Sequence, residues 1–302
     1  MADAGSRAVS SGTANAGSCS STARHFRLGG PSSVLDARTH AFRRDLADVA
    51  LAGQIIAPHY AKPLPRACGV RAAPVLAAAL DGAAQLSELL PGEPFLVLEY
   101  AGGWAWGYCG NDHIVGYVEA IELTAPAAPS HVVCEKCAPV TADGSIAAPV
   151  LAHLPMGARL LGEERGACLI SDVGCVPLSH LRRTGECEED PVTVAERLMG
   201  APYKKGGRSM HGIDSPGLIQ LALGLCGSPV PRLPEQQVRL GRALEPTVLA
   251  KRGDLVAFDG HVGMMIDDLL MIHASPEAGR VVTEPLGVVA TRHPVLDRRR
   301  LG

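Results

Sequence analysis

The chain has 302 residues, of which 47% are hydrophobic and 20% charged, so it is long enough to bury the cores of two or three domains. Its formal net charge of −3 provides no broad basic surface, and we expect no nucleic-acid partner. Asp81, Gln85 and Glu88 interrupt the most apolar stretch, which excludes a membrane-spanning helix there.

Residues 1–35 are rich in Ser, Ala and Gly and lack the apolar core of a secretory signal, which predicts a disordered leader. The nine cysteines show no disulfide spacing. We therefore expect free thiols in the cytoplasm, with the cell envelope, reached by an unrecognised export route, as the alternative. We interpret residues 36–67 as a connector, with a helical or extended segment from Arg43 to Ile56, that packs on the domains after it.

The stretches 68–124 and 130–183 are weak copies of one another. Each contains short alternating strands and a Leu-Pro turn, a pattern typical of a small β-barrel. Three landmarks match between the copies: Ala73-Pro74-Val75 with Ala138-Pro139-Val140, Leu90-Pro91-Gly92 with Leu154-Pro155-Met156, and Gly116-Tyr117-Val118 with Gly174-Cys175-Val176. The sequence therefore predicts two consecutive barrels.

Both tryptophans of the chain, Trp104 and Trp106, fall in one predicted loop of the first barrel. Such a cluster either packs in a core or forms part of a binding wall, and both alternatives stay open. The second barrel has no aromatic residue, and we interpret it as a spacer. At its start, Cys134 and Cys137 form one Cys-x-x-Cys pair near His131, but no second pair follows at finger-like spacing, so we expect thiols rather than a metal site.

The stretch 202–220 combines a Gly-rich loop with the start of an apolar helix. Asp214 suits the N-cap position, and Ser215 and Pro216 suit the first turn, where the missing N–H of proline costs nothing. Ser215 therefore meets the positive end of the helix dipole, where proteins activate nucleophiles. Asp190-Pro191 predicts an earlier helix through Leu198 by the same reasoning.

Two histidines, His261 and His273, lie in neighbouring strand-like runs separated by Asp267-Asp268. A two-residue turn would place them on opposite faces, whereas an odd loop would pair them directly on one face. We predict a three-residue loop or a bulge near 266–268, so that His261 faces Ser215 and His273 orients its ring. His211 is expected to be exposed, and the arginines at 298–300 are expected to form a solvated tail.

These motifs resemble the NlpC superfamily of bacterial cell-wall cysteine peptidases. The family pattern is Pro-Tyr-x-Trp-Gly-Gly and then Gly-x-Asp-Cys-Ser-Gly-Leu-hydrophobic-Gln, and a second match runs from Arg252 through His261 to Ser275. Three departures from this pattern affect the positions that carry the family's chemistry. Lys205 replaces the tryptophan, Ser215 replaces the nucleophilic cysteine, and Pro216 replaces the serine beside it. The resemblance covers residues 190–302.

The resemblance implies an α+β fold, with a papain-like C-terminal domain over 190–302 preceded by two bacterial SH3-like barrels. It implies hydrolysis of the bond between γ-linked D-glutamate and a diamino acid in murein stem peptides, without a cofactor or metal. By position, Ser215 would be the nucleophile, His261 the base and His273 the orienting group. Tyr203, Asp214, Trp104 and Trp106 would contact the peptide, with Asp214 holding its amino end.

The nucleophile decides between two hypotheses. A cysteine at this helix end would be largely thiolate, but a serine cannot ionise in this way, and losing a triad nucleophile costs on the order of a millionfold in rate. The first hypothesis is a degenerate, inactive or much slowed member that binds cell-wall peptides. The alternative is an active peptidase that uses Ser215, His261 and His273. An acyltransferase, or a pair of Ser215 with Lys205 as base, are further alternatives.

Overall fold

The computed structural model describes residues 34–144, 148–245 and 247–301. The chain divides into residues 1–35 and 36–302, and all elements named below belong to the second unit. The leader predicted for residues 1–35 lies outside the described residues as far as residue 33. The described part is a mixture of α and β structure in which strands dominate.

The connector forms a short parallel pair, β1 (Leu46–Asp48) and β2 (His59–Ala61), with a 3-10 turn at Val49–Leu51. It packs on the first barrel through Arg43, whose guanidinium lies 4.5 Å from the ring centre of Trp106 and forms an ion pair with Glu99. The segment predicted as helical or extended contains one short strand and one 3-10 turn, and bends and turns make up most of the rest.

The first barrel is a seven-stranded antiparallel sheet with the order β5-β4-β8-β7-β6-β3-β9. It begins at Leu64, four residues before the predicted start, because β3 already pairs with β6 there. Its strands are β3 (Leu64–Cys68), β4 (Ala73–Leu76), β5 (Gln85–Leu89), β6 (Pro94–Ala101), β7 (Trp104–Cys109), β8 (Val115–Glu119) and β9 (Leu123–Thr124).

The second stretch repeats this pairing order. As β4 pairs with β5 and β8, so β11 pairs with β12 and β16, and the register shifts at Val75/Leu76 and again at Val140/Thr141. This pairing agrees with the predicted alignment of the copies. The strands are β10 (His131–Val133), β11 (Cys137–Thr141), β12 (Val150–Pro155), β13 (Arg159–Leu160), β14 (Gly162–Arg165), β15 (Cys168–Ser171), β16 (Gly174–Pro177) and β17 (Leu181–Arg183).

The C-terminal region combines helices with a six-stranded antiparallel sheet, in the order β20-β25-β21-β22-β23-β24. Its helices are α1 (Pro191–Arg197), α2 (Ser215–Leu225), α3 (Pro234–Gln237) and α4 (Leu286–Arg292). Its strands are β18 (Arg208–Ser209), β19 (Gly212–Ile213), β20 (Arg242–Ala243), β21 (Leu255–Phe258), β22 (His261–Met265), β23 (Leu270–Ser275), β24 (Arg280–Pro285) and β25 (Asp297–Arg300).

Both predicted helix starts are confirmed by their caps. The carboxylate of Asp190 accepts hydrogen bonds from the N–H groups of Val192 and Thr193, and that of Asp214 accepts one from Gly217. Residues 215–223 of α2 are all buried, and α2 packs against β22 and β23. This packing holds the first turn of α2 against the sheet that carries the two histidines.

The solvated tail predicted at residues 298–300 is wrong. These arginines form the inner strand β25, where Arg298 pairs with Val256. Arg300 forms a salt bridge of 2.6 Å with the buried Asp254, which lies just before β21. Pairing with β21 and this ion pair bind the segment into the sheet, although its composition suggested solvation.

A buried ion pair joins the first barrel to the C-terminal region. Both side chains are buried, and Arg208 Nη1 lies 2.6 Å from Glu93 Oε2. The Arg208 N–H also donates to Glu88, and the Gln85 side chain donates to the carbonyl of Gly206. The loop in front of α2 is therefore held by β5 and the turn that follows it.

None of the helices among the described residues combines the length and apolarity needed to cross a bilayer. The eight cysteines of the described residues carry free thiols. The cytoplasmic compartment that we expect from the sequence stays a prediction.

Candidate active site

Ser215 stands at the first residue of α2 and is 2% exposed. Its Oγ accepts a hydrogen bond of 3.2 Å from the N–H of Val262, the residue that follows His261 in β22. At this helix end, Gly217 donates to the Asp214 carboxylate, Leu218 donates to the Asp214 carbonyl, and proline at 216 has no N–H. Within the described ranges, the Ser215 N–H is therefore the one donor of the first turn that stays free.

The structure places the two histidines on one face of the sheet, as predicted. Ile266 and Leu270 close the β22–β23 hairpin around a three-residue loop, which confirms the predicted odd loop. The predicted direct pairing is wrong, because the register Met264 with Ile272 sets His273 beside Gly263. The two histidines are diagonal neighbours, with ring centres 5.0 Å apart and planes at 82°.

A chain of hydrogen bonds connects both histidines to Glu284 on β24. His261 Nε2 lies 2.8 Å from His273 Nδ1, and His273 Nε2 lies 3.0 Å from Glu284 Oε2. A carboxylate only accepts, so Nε2 of His273 carries the proton, and its Nδ1 accepts the Nε2–H of His261. This assignment, made from the hydrogen-bond partners, leaves Nδ1 of His261 unprotonated and able to act as a base.

Both imidazoles are held neutral. Burial, with smaller contributions from His273 and His293, lowers the pKa of His261 to about 4. Burial also lowers the pKa of His273, although the hydrogen bond to Glu284 acts in the opposite direction. Arg292 donates to Glu284 at 2.8 Å and so shares this carboxylate with His273.

No hydrogen bond joins Ser215 Oγ to His261 in the part of the chain that the structure describes. Among the described residues, the hydroxyl instead accepts a hydrogen bond from the backbone N–H of the residue that follows the base. A helix end and an N–H aimed at this atom favour an anionic acceptor, which suits a thiolate better than a neutral hydroxyl. The arrangement can supply a base and one backbone donor, and what it lacks is a nucleophile that ionises.

Asp214, expected to hold the peptide's amino end, is only 7% exposed and is already engaged. Its carboxylate accepts hydrogen bonds from the N–H groups of Gly206 and Gly217 and from Arg232, whose Nη2 lies 2.8 Å from Oδ2. The predicted contact with the peptide stays a prediction, and the visible role of this carboxylate is to fasten the Gly-rich loop to α2.

Around the site, Tyr203 is half-buried, while Lys205 and His211 are exposed. Burial raises the pKa of Tyr203, and the charges of Asp214 and Glu277 raise it further, which places both carboxylates near this ring. The exposure predicted for His211 is confirmed. Because it is exposed, Lys205 lacks the desolvation that a lysine base would need.

The tryptophans lie on strand β7 rather than in the predicted loop. Trp106 is 4% exposed and packs with Ala41 and Val115 beneath Arg43, which favours the packing alternative for this residue. Trp104 is half-buried at the start of β7, beside the turn at Gly102. Its contribution to a peptide site stays a prediction.

The sequence missed Glu284, Arg232, Glu277 and His293. Glu277 Oε1 lies 2.7 Å from His293 Nε2 next to the site, and the His293 ring centre lies 6.5 Å from that of His261. Glu284 and Val282 lie two residues apart on β24 and therefore share a face, and Val282 pairs with His273. The hairpin register, had it been known from the sequence, would have pointed to Glu284. No sequence signal marks Arg232 or His293.

The chain matches two sequence families. Residues 200–299 match the NlpC/P60 family, and residues 75–123 match the bacterial dipeptidyl-peptidase Sh3 domain. The second strand repeat, residues 131–183, lies between these two matches.

Two named relatives match parts of the chain. A dipeptidyl-peptidase 6 of Lysinibacillus sphaericus is 24% identical over 63% of this chain and 80% of its own length. A gamma-DL-glutamyl hydrolase of Bacillus subtilis is 32% identical over 30% of this chain, which spans only 24% of that relative.

A solved NlpC/P60 family protein from Bacillus cereus resembles the fold with a TM-score of 0.69 at 19% identity, over 78% of this chain and 99% of that one. These likenesses agree with the motifs around Ser215 and His261 and with the strand pairing of the first barrel. The chain thus carries an NlpC/P60 domain preceded by a bacterial SH3 domain, and the two relatives named above are a dipeptidyl-peptidase and a gamma-DL-glutamyl hydrolase.

Proposed function

We propose that this protein binds murein stem peptides, at the bond between γ-D-glutamate and a diamino acid, and that it hydrolyses them very slowly or not at all. One observation carries the proposal: Ser215 Oγ accepts the Val262 N–H and makes no hydrogen bond to His261 in the described part, while the chain from His261 to Glu284 is complete. The base is in place, but the hydroxyl that it would have to deprotonate is held by a backbone N–H instead.

Charge around the site supports a peptide ligand with a free amino end. Asp214 and Glu277 both act on the pKa of His261 and of Tyr203, and because Arg232 already neutralises Asp214, Glu277 is the carboxylate that supports this ligand. A protonated α-amine complements Glu277 electrostatically. The relatives named dipeptidyl-peptidase and gamma-DL-glutamyl hydrolase support a short γ-glutamyl peptide as the ligand class.

The alternative, a working serine peptidase, has one observation in its favour. The hydrogen bonds to His273 and Glu284 leave Nδ1 of His261 unprotonated, and a neutral imidazole can take a proton from Ser215 during attack. General-base assistance of this kind contributes about 10²–10⁴-fold. It does not replace the preformed thiolate that the helix end would stabilise.

The decisive experiment measures release of the diamino acid from a murein tripeptide with a free N-terminal L-Ala. The natural protein, Ser215→Cys, Ser215→Ala and Ser215→Cys/His261→Ala are compared, and calorimetry measures peptide binding to each. We expect binding by all four and hydrolysis by Ser215→Cys alone, since a thiolate restores the nucleophile. Hydrolysis by the natural protein that disappears in Ser215→Ala would instead establish the serine peptidase.

The proposal has two further parts, which concern the folds of two regions and the cellular compartment. We propose that residues 130–183 form a second SH3-like barrel, because their strand pairing repeats that of the first, and that the C-terminal domain is papain-like. Free thiols at the described cysteines support a reducing compartment, the cytoplasm, as the place of action.

A further inference from the structure

Two free thiols, Cys187 and Cys226, lie at one contact between the linker after β17 and the end of α2. The N–H of Glu188 donates to the carbonyl of Leu225 at 2.9 Å. This hydrogen bond joins the peptide group between Cys187 and Glu188 to the peptide group between Leu225 and Cys226. The two cysteines are therefore neighbours in space, although α1 and α2 separate them in the chain.

Standard backbone dimensions limit the distance between the two cysteines. Across this hydrogen bond their Cα atoms lie at most about 8 Å apart, and a disulfide spans roughly 4.4–6.8 Å between Cα atoms. A Cβ added to Gly227, the residue after Cys226, would lie only 2.7 Å from Cys187 Sγ. The sulfur of Cys187 thus already lies against the segment that carries Cys226.

Glu188 holds the linker at this contact. Its carboxylate lies 3.0 Å from Arg182 Nε and 2.9 Å from Arg197 Nη2. Residues 184–187 before it are exposed, and a Cβ added at Gly185 would meet no atom within 4 Å. Cys187 can therefore shift by the ~1–2 Å that a disulfide requires while Glu188 stays in place.

The two thiols differ in accessibility. Cys187 is exposed, whereas Cys226 is half-buried. Burial, followed by the charges of Glu188 and Asp190, raises the pKa of the Cys226 thiol to about 11, and the charge of Cys187 adds to this rise. Such an effect acts between nearby groups and weakens with distance. A dissolved oxidant therefore meets Cys187 first, and Cys226 is the second thiol within reach.

We infer that Cys187 and Cys226 form a reversible disulfide when the protein reacts with hydrogen peroxide. The Cys187 sulfur breaks the O–O bond of the peroxide, which gives a sulfenic acid on Cys187 and one water. The Cys226 sulfur then attacks the sulfenic sulfur, the S–S bond forms, and the hydroxyl group leaves with the Cys226 proton as a second water. Two thiols lose two electrons in all, and one peroxide is reduced to two waters.

The disulfide closes a loop that contains α1, the Gly-rich loop and α2. Such a bond restricts the unfolded chain and so stabilises the folded domain. The site lies at the end of α2 opposite Ser215. It does not depend on whether Ser215 hydrolyses peptides.

Peptide mapping of the full chain tests the inference. The reduced protein is titrated with hydrogen peroxide, the remaining thiols are alkylated, and the tryptic peptides are analysed by mass spectrometry without reduction. Residues 184–197 and 209–232 form tryptic peptides with one cysteine each. We expect these two peptides to be linked, and dithiothreitol to separate them. If Cys187 and Cys226 are alkylated, over-oxidised or linked only to other cysteines at every peroxide concentration, the inference is wrong.

Variants and unfolding supply the controls. Cys187→Ser and Cys226→Ser should each abolish the linked peptide, whereas Cys168→Ser, a change of another half-buried cysteine on β15, should retain it. In concentrated urea we expect the yield of this link to fall at least about tenfold, because the two thiols lose their proximity. An equal yield in the folded and the unfolded protein would mean that the link forms at random and would overturn the inference.

Discussion

His261 Nε2 lies 2.8 Å from His273 Nδ1, and the proton between them belongs to His261 because His273 carries its own proton on Nε2 and donates that N–H to Glu284. This relationship determines which nitrogen of His261 can act as a base.

Glu284→Gln should remove the preference of both histidines for the tautomer that is protonated on Nε2. A glutamine can donate as well as accept, so His273 no longer has to protonate Nε2. Imidazole nitrogen NMR of the natural protein should show a proton on Nε2 of both rings, and the variant should show mixed tautomers. In the Ser215→Cys background we expect kcat to fall about 100-fold with little change in KM.

Arg292→Gln is the control for this variant, because it removes the other partner of Glu284 and keeps the carboxylate. It should preserve the tautomers and most of the activity. Unaltered tautomers in Glu284→Gln would show that backbone packing, not the carboxylate, orients the rings.

Stability should fall on acidification because of His261. Its folded pKa of about 4 lies below the ordinary 6.5, so between these values the unfolded chain binds a proton that the folded chain does not. The free energy of unfolding should decrease by up to about 1.4 kcal/mol per pH unit from this group, and by roughly 3 kcal/mol in all. Urea unfolding at pH 7, 6, 5 and 4 measures it.

His261→Gln should flatten this pH dependence, whereas a change of the exposed His211 to Gln should leave it as in the natural protein. Equal slopes in the natural protein and His261→Gln would mean that the imidazole is already charged in the fold.

Arg208→Met should lower the free energy of unfolding by about 3–5 kcal/mol, because it leaves the buried Glu93 carboxylate unpaired. Glu93→Gln together with Arg208→Met should recover part of this loss, since no buried charge then remains. A double-mutant cycle by urea unfolding gives the coupling energy. Additive effects of the two changes would contradict a role of this pair in joining the barrel to the C-terminal region.

Pro216→Ser should improve the Ser215→Cys enzyme. It adds an N–H beside the single free donor at the start of α2, where a developing oxyanion could be stabilised, and we expect kcat to rise about tenfold. The loss of proline's rigidity should cost no more than about 1 kcal/mol. Pro234→Ser, in the first turn of α3, serves as control and should leave kcat unchanged. A kcat that does not rise would mean that position 216 faces away from the reacting carbonyl.

Local sequence signals were sufficient for the helices and for the shared face of the histidines. The Asp190 and Asp214 caps act within three residues of the helix start, and the face shared by His261 and His273 follows from strand parity. The predicted repeat of the strands also agrees with the structure, because β4 and β11 each pair with the corresponding strands of their own copy.

Other features depend on contacts that no local pattern encodes. The ion pair between Arg208 and Glu93 joins residues 115 positions apart, and Arg298 to Arg300 enter the sheet only because β21 pairs with them. A run of arginines has no local preference for an inner strand, so the composition of residues 298–300 wrongly suggested a solvated tail.

The residue types themselves specify the chemistry available: a serine at a helix start, and two histidines on one face. Tertiary structure alone decides how that chemistry is arranged. Strand register determines that Glu284 reaches His273, and the packing of α2 determines that Ser215 Oγ meets the Val262 N–H. The physical reason is that caps and parity act over a few residues, whereas hydrogen-bond partners across a sheet depend on how distant segments pack.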